Sequence, residues 1–174
     1  GLGLAGNIAL TEDLTPVSEN FQEILPEIFR SSAMLDRFHL FIPGWKIPKI
    51  SKGQLYYGWA IDAELFSTYL HYMRTETYSQ KIFDDLVRYD KDMAYVRHVN
   101  SVKKIATAYC KLLFPHVKNL IDLSTEDKEI FKSLYRDYCL TPAINARTYI
   151  YNQCKYIDRE YKSEGMRIPN FEIK

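Results

Sequence analysis

The stretch VRHVNSVKKIATAYCKLLFP, Val96 to Pro115, decides the fold. Val96, Val99, Val102, Ile105, Ala106, Tyr109, Leu112 and Leu113 recur every three or four residues. That spacing lays an apolar stripe along one side of a helix and predicts one over roughly 92–114, stopped by Pro115. The same period continues on both sides. A helix is predicted over roughly 60–74, with Leu65, Tyr69, Tyr72 and Met73 on one side, and a shorter one over 78–89 with Ile82, Leu86 and Tyr89. Ser124 with Asp127 three residues later reads as a variant capping box that starts a helix to about Tyr138. Thr141 followed by Pro142 reads as an N-cap with proline at the first helical position. It launches a last helix carrying Ala143, Arg147, Ile150, Cys154, Ile157 and Tyr161 on one face.

Residues 1–50 have a different texture, with short apolar runs broken by Pro16, Pro26, Pro43 and Pro48. LGLAGNIAL (2–10) and HLFIPGW (39–45) read as short β-like runs, and ILPEIFRSSAMLDRF (24–38) as one or two short helices. Gly1, Gly3 and Gly6 spell G-x-G-x-x-G, but the dinucleotide fingerprint needs a strand before it and a helix opening within it. Loop-forming residues follow instead, and each interior glycine costs a helix about 1 kcal/mol relative to alanine. The expected class is therefore mainly α: a small α/β portion over 1–50, then a helical domain over 51–174.

Composition limits the function. With 174 residues, 47% hydrophobic, the chain can bury a core, and a net charge of +1 recruits neither nucleic acid nor anionic lipid as a whole. Cys110, Cys139 and Cys154 form no C-x-x-C and fit no zinc spacing, so they read as buried free thiols in a reducing compartment. No membrane-length apolar run or signal peptide is visible, which makes the cytoplasm the expected location. The absence of an initiating Met leads us to expect a piece of a longer protein. No P-loop, H-E-x-x-H or G-x-S-x-G motif is present, and His39, His71, His98 and His116 are scattered, each best explained structurally.

Three polar residues stand out. Asn7 follows an apolar run, where open α/β sheets place ligand-contacting groups, and its amide can donate and accept at once; the plain alternative is a turn. Arg37 sits in AMLDRFHLF, a cation wedged in apolar sequence, whose plain role is a salt bridge to Asp36. Arg97 opens the strongest helix, where a cation opposes the helix dipole and an anion would offset it.

In that order the three match a known arrangement. A strand ending in Gly-Asn, the MLDRFH segment and RHVNSVKKIATA resemble the second half of an AAA+ ATPase module of the MCM type. The run ILPEIFRSSAMLDRFHLFIPGWKIPK, supported by VKKIATAYCKLLFPH and LTPAINARTYIYNQ, is most similar to the Lon-related AAA+ proteins of BREX phage-defence systems, a Lon-like ATP-dependent protease family. The resemblance implies that Asn7 is sensor 1, positioning the hydrolytic water. It implies that Arg37 is an arginine finger reaching a neighbouring subunit's ATP, and that Arg97 is sensor 2 on a helical lid. ATP and Mg2+ are the implied cofactors of the full-length protein, and a homo-oligomeric ring the implied assembly. DNA is a further implied partner by analogy with MCM helicases, with no support from net charge. Walker A and B elements would lie upstream and a Ser–Lys protease dyad downstream, so these residues alone are not expected to hydrolyse ATP. Ser101, near Lys103 and Lys104, reads as helix surface rather than that dyad. The family's basic run near the end is thinned here to INARTYIYNQ, which weakens the case for a nucleic-acid contact at that place. The competing reading is a non-catalytic helical module that binds a protein partner through tyrosine-rich faces.

Overall fold

A computed structural model describes residues 3–51, 53, 57–90 and 95–174. The chain is mainly helical with a small β component. Its α-helices are α1 (Ser32–Leu35), α2 (Ala63–Met73), α3 (Tyr78–Leu86), α4 (Val96–Leu113), α5 (Thr125–Tyr135) and α6 (Thr141–Ile157). Strands β1 (Val87–Tyr89) and β2 (Phe171–Ile173) pair antiparallel, with Arg88 opposite Glu172 and bonded to it at 2.8 Å.

Helix α4 is the centre, as its period predicts. It buries His98, Val99, Val102, Ile105, Ala106 and Cys110, while Val96, Leu112 and Leu113 at its ends stay exposed. Against it pack Ile82, Phe83 and Leu86 of α3, Phe131 and Tyr135 of α5, and Ala143 of α6. A second cluster joins α6 to the early chain: Leu35 of α1 with Ile150, Tyr151 and Cys154, and Phe38 and Phe41 against them. Gln153 ties that early chain down further, accepting from the Phe21 amide at 2.8 Å and donating to the Glu19 carbonyl at 2.7 Å. All three cysteines are buried free thiols, as expected.

The Ser124 cap is present: its Oγ accepts from the Asp127 amide at 3.1 Å and donates to the Asp127 carboxylate at 2.7 Å. The Thr141 cap is not. Residues Arg136–Leu140 form a π-helical turn that runs straight from α5 into α6, with the Thr141 amide bonded to the Arg136 carbonyl five residues back. Pro142 explains the wide turn, because it lacks an amide and its ring would crowd the carbonyl four residues earlier in a regular helix. Helix α6 also ends at Ile157, before Tyr161, where Asp158 turns extended and caps a following turn.

The two β-like runs of the first 50 residues are corrected as well. Residues 3–9 are irregular, with one isolated bridge, Leu10 to Pro16, and HLFIPGW ends in a tight turn at Gly44–Lys46. A strand needs a continuous neighbour for its amides and carbonyls, and among the described residues the first run finds one only at 9–11, against 15–17. Gly1 and Leu2, and residues 92–94 at the predicted start of α4, lie outside the described residues. Helix α2 differs from expectation too. Asp62 caps it, but only Met73 is buried, while Leu65, Tyr69 and Tyr72 remain exposed.

Candidate functional site

The site is built on the turn that ends α1. Ser31 caps that single helical turn through the Met34 amide, and Asp36 closes it in helical conformation. Successive residues of a helical turn point about 100° apart, so Leu35 and Asp36 face the interior while Arg37 faces solvent. Arg37 donates to the Ala33 carbonyl one turn back.

Asp36 is the hub. Its Oδ2 accepts from Arg97 Nη1 at 2.6 Å and from the Tyr95 hydroxyl at 3.0 Å, both from the start of α4. Its Oδ1 accepts from Arg147 Nη2 of α6. Arg147 is itself fully buried and commits four of its five N–H groups. Besides Oδ1 it donates to the Asp36 carbonyl (3.1 Å), the Phe38 carbonyl (2.7 Å) and His98 Nδ1 (2.9 Å). A guanidinium can only donate and a carbonyl only accept. His98 is therefore the neutral imidazole with its proton on Nε2, which donates to the Met166 carbonyl at 2.9 Å. One connected network thus joins α1, α4, α6 and the segment around Met166.

The electrostatics follow. Burial raises the Asp36 carboxyl, but the hydrogen bond from Arg97, the charge of Arg147 and the Tyr95 hydroxyl outweigh it and hold it below the usual range. Burial and then the Arg147 charge push His98 down to about 4. In the unfolded chain the imidazole takes a proton near pH 6.5. Between pH 6.5 and 4 the unfolded state therefore binds more protons than the folded one, and stability rises with pH there. The contribution is complete above about pH 6.5 and is lost as pH falls towards 4, about 3 kcal/mol in all. Urea denaturation at pH 7.5 and 4.5 should show this loss. His98→Asn, which cannot titrate, should flatten the slope across that window; an unchanged slope would mean that His98 titrates in the fold as it does in the unfolded chain. Asp36 acts in a lower window, below its unfolded value near 4.

Of the sequence-predicted residues, Arg97 is bonded to Asp36, the residue preceding Arg37, whereas the Arg37 side chain itself faces solvent. Asn7 is exposed in irregular backbone, and no hydrogen bond joins it to this cluster. Asp36, expected as the local partner of Arg37, pairs instead with Arg97 and Arg147. The anion anticipated for the start of α4 is thus supplied within the chain. Sequence reasoning missed the roles of Arg147 and His98. The available signal was Arg147 itself, an arginine on the otherwise apolar face of Ala143, Ile150 and Cys154. Ser101 is buried rather than on the helix surface, and Lys103 is taken up by Asp84 at 2.6 Å. An open cleft of about 660 Å³ lies between residues 15–21 and α6, with Phe21, Trp45, Tyr149 and Lys155 among its walls. Among the described residues no helix is long and apolar enough to cross a membrane.

The segment holding this network falls within residues 1–167, which match a family model described as Lon-like protease BrxL-like, ATPase domain. The chain belongs to that family and is a segment of a Lon-related AAA+ ATPase domain. It is 29% identical over 112 residues to the Lon-like protease BrxL of Bacillus cereus (strain H3081.97), a match covering 64% of this chain and 16% of that protein. It is 25% identical over 150 residues to the Lon-like protease BrxL of Escherichia coli O9:H4 (strain HS), covering 86% of this chain and 20% of the relative. The chain thus spans about a fifth or less of the length of the curated relatives it matches.

Proposed function

We propose that this segment supplies the nucleotide-responsive residues of a ring-forming ATPase acting in phage defence in the cytoplasm. Arg37 is the arginine finger, Arg97 sensor 2 and Asn7 sensor 1. The observation that carries the reading is the Arg97–Asp36 bond, which ties the sensor helix to the residue beside the finger. An exposed Arg37 and a 44% exposed Arg97 side chain suit a phosphate, since guanidinium groups bind phosphate oxygens in pairs of hydrogen bonds. When bound, ATP with Mg2+ would supply the γ-phosphoryl group, which water attacks with ADP as the leaving group. Arg37 stabilises the charge that develops as the phosphoryl group transfers, Arg97 holds phosphate against the start of α4, and the Asn7 amide orients the attacking water. The elements that bind Mg2+ and most of the nucleotide belong to residues outside this chain, as does any peptidase centre. DNA remains a partner of the whole ring in this reading, by analogy with MCM helicases.

In the full-length protein, Arg97→Ala should weaken nucleotide affinity about tenfold, the value of a charge-assisted hydrogen bond or somewhat less, and slow turnover. Its thermal melt should change little, because the side chain is half exposed. Binding and turnover both equal to wild type would remove Arg97 from the site.

A further inference from the structure

Two arginines share the Asp36 carboxylate, but on unequal terms. With Arg147 both side chains are fully out of water, whereas Arg97 is 44% exposed. Arg147 is further fixed by two backbone carbonyls and His98, so it cannot leave without orphaning several buried groups. Arg97 reaches Asp36 through Nη1 and lies over the Tyr95 ring at 5.9 Å, with no other hydrogen bond among the described residues. Its departure would leave Asp36 still paired with Arg147 and still accepting from Tyr95, so no buried charge is stranded.

We propose that Asp36 is a positioning residue that regulates the phosphate site through Arg97. The carboxylate is the resting partner of that arginine, and a nucleotide phosphate takes the arginine by exchange. The inference rests on the reading of Arg97 as a phosphate contact. Arg147 makes the exchange possible by neutralising Asp36 in both states. Phosphate competes well because it carries more charge than a carboxylate and can engage the guanidinium fork at two oxygens. The carboxylate Arg97 leaves belongs to the residue preceding Arg37, so exchange removes one of the bonds that tie the start of α4 to the turn bearing the finger, while the Tyr95 bond stays. Nucleotide arrival is thereby registered at the finger segment of the same chain.

The arrangement makes Asp36 an inhibitor of binding. An arginine docked on Asp36 for most of the time lowers apparent affinity by the undocked fraction. In the full-length protein, Asp36→Asn should tighten the equilibrium binding of a non-hydrolysable ATP analogue by about three- to tenfold. A defect of folding alone would weaken binding and never tighten it. In an Arg97→Ala background the same Asp36→Asn change should have no effect on affinity. Tyr95→Phe keeps the ring against His98 but removes the hydroxyl from Oδ2. The carboxylate then grips Arg97 more firmly, and affinity should fall about twofold or more. This variant decides the matter should Asp36→Asn fail to fold, with unchanged affinity overturning the exchange. Wild-type affinity in Arg97→Ala would overturn the phosphate reading itself. Weakened binding in Arg97→Ala, together with no tightening in Asp36→Asn or equal tightening in both backgrounds, would overturn the exchange alone.

Discussion

Arg147→Met is expected to lower the unfolding free energy by about 3–5 kcal/mol, the usual effect of removing one partner from a buried ion pair. Methionine fills much of the same volume, so a cavity is not the reason. The loss comes from what arginine leaves behind: the Asp36 carboxylate on its buried side, the carbonyls of Asp36 and Phe38, and Nδ1 of His98. All but the half-buried Phe38 carbonyl are acceptors buried in the interior, and unpaired buried groups are costly. The urea midpoint, read by far-UV circular dichroism, measures the effect. A change below about 1 kcal/mol would show that the network contributes no more than a surface pair. Arg97→Ala is the internal comparison: it removes a bond to the same carboxylate from a half-exposed position and should cost far less. Combining Arg147→Met with Asp36→Asn should cost less than the sum of the two, because the stranded charge is gone.

Arg37→Ala in the full-length protein is expected to reduce ATP turnover by about 10³-fold or more, the range found for arginine fingers. Nucleotide affinity and stability should stay near wild type, since the side chain is exposed and bonds only the Ala33 carbonyl of its own turn. Steady-state hydrolysis alongside equilibrium binding of a non-hydrolysable analogue makes the separation. A finger acts on the neighbour's nucleotide, so mixing subunits gives a second test. Arg37→Ala subunits combined with subunits lacking the Walker A lysine should recover part of the activity, because one of the mixed interfaces is intact. Full activity of Arg37→Ala alone would refute the assignment.

Much of the helical framework is legible in residues 57–174 because burial there follows a local rule. A helix that packs on one side repeats its apolar residues every three or four positions, and α3, α4 and α5 do so. Helix α2 carries the same signal without the burial. The pattern reports only that a face is apolar, and what covers it depends on other parts of the chain. Pro142 shows a different limit. Threonine followed by proline has the chemistry of a helix start, yet a π turn lets the chain pass through proline without a break. The strand reading of residues 2–10 failed for a third reason, since strand structure is defined by pairing with another segment.

Arg37 and Arg97 stand out in the sequence because each is locally out of place, one among apolar residues and the other against a helix dipole. Such anomalies are properties of the sequence itself. The sequence by itself determined the helical class, the period of the core helix and the family. It could not determine who satisfies whom, because charges 61 and 111 positions apart have no signature in spacing. Only the tertiary structure brought Asp36 between Arg97 and Arg147 and sealed one of the two pairs from water. The physical reason is that burial sets the strength of an ion pair, and burial is made by the packing of α1 on α6. The same carboxylate therefore holds one arginine sealed from water and the other half exposed at the surface.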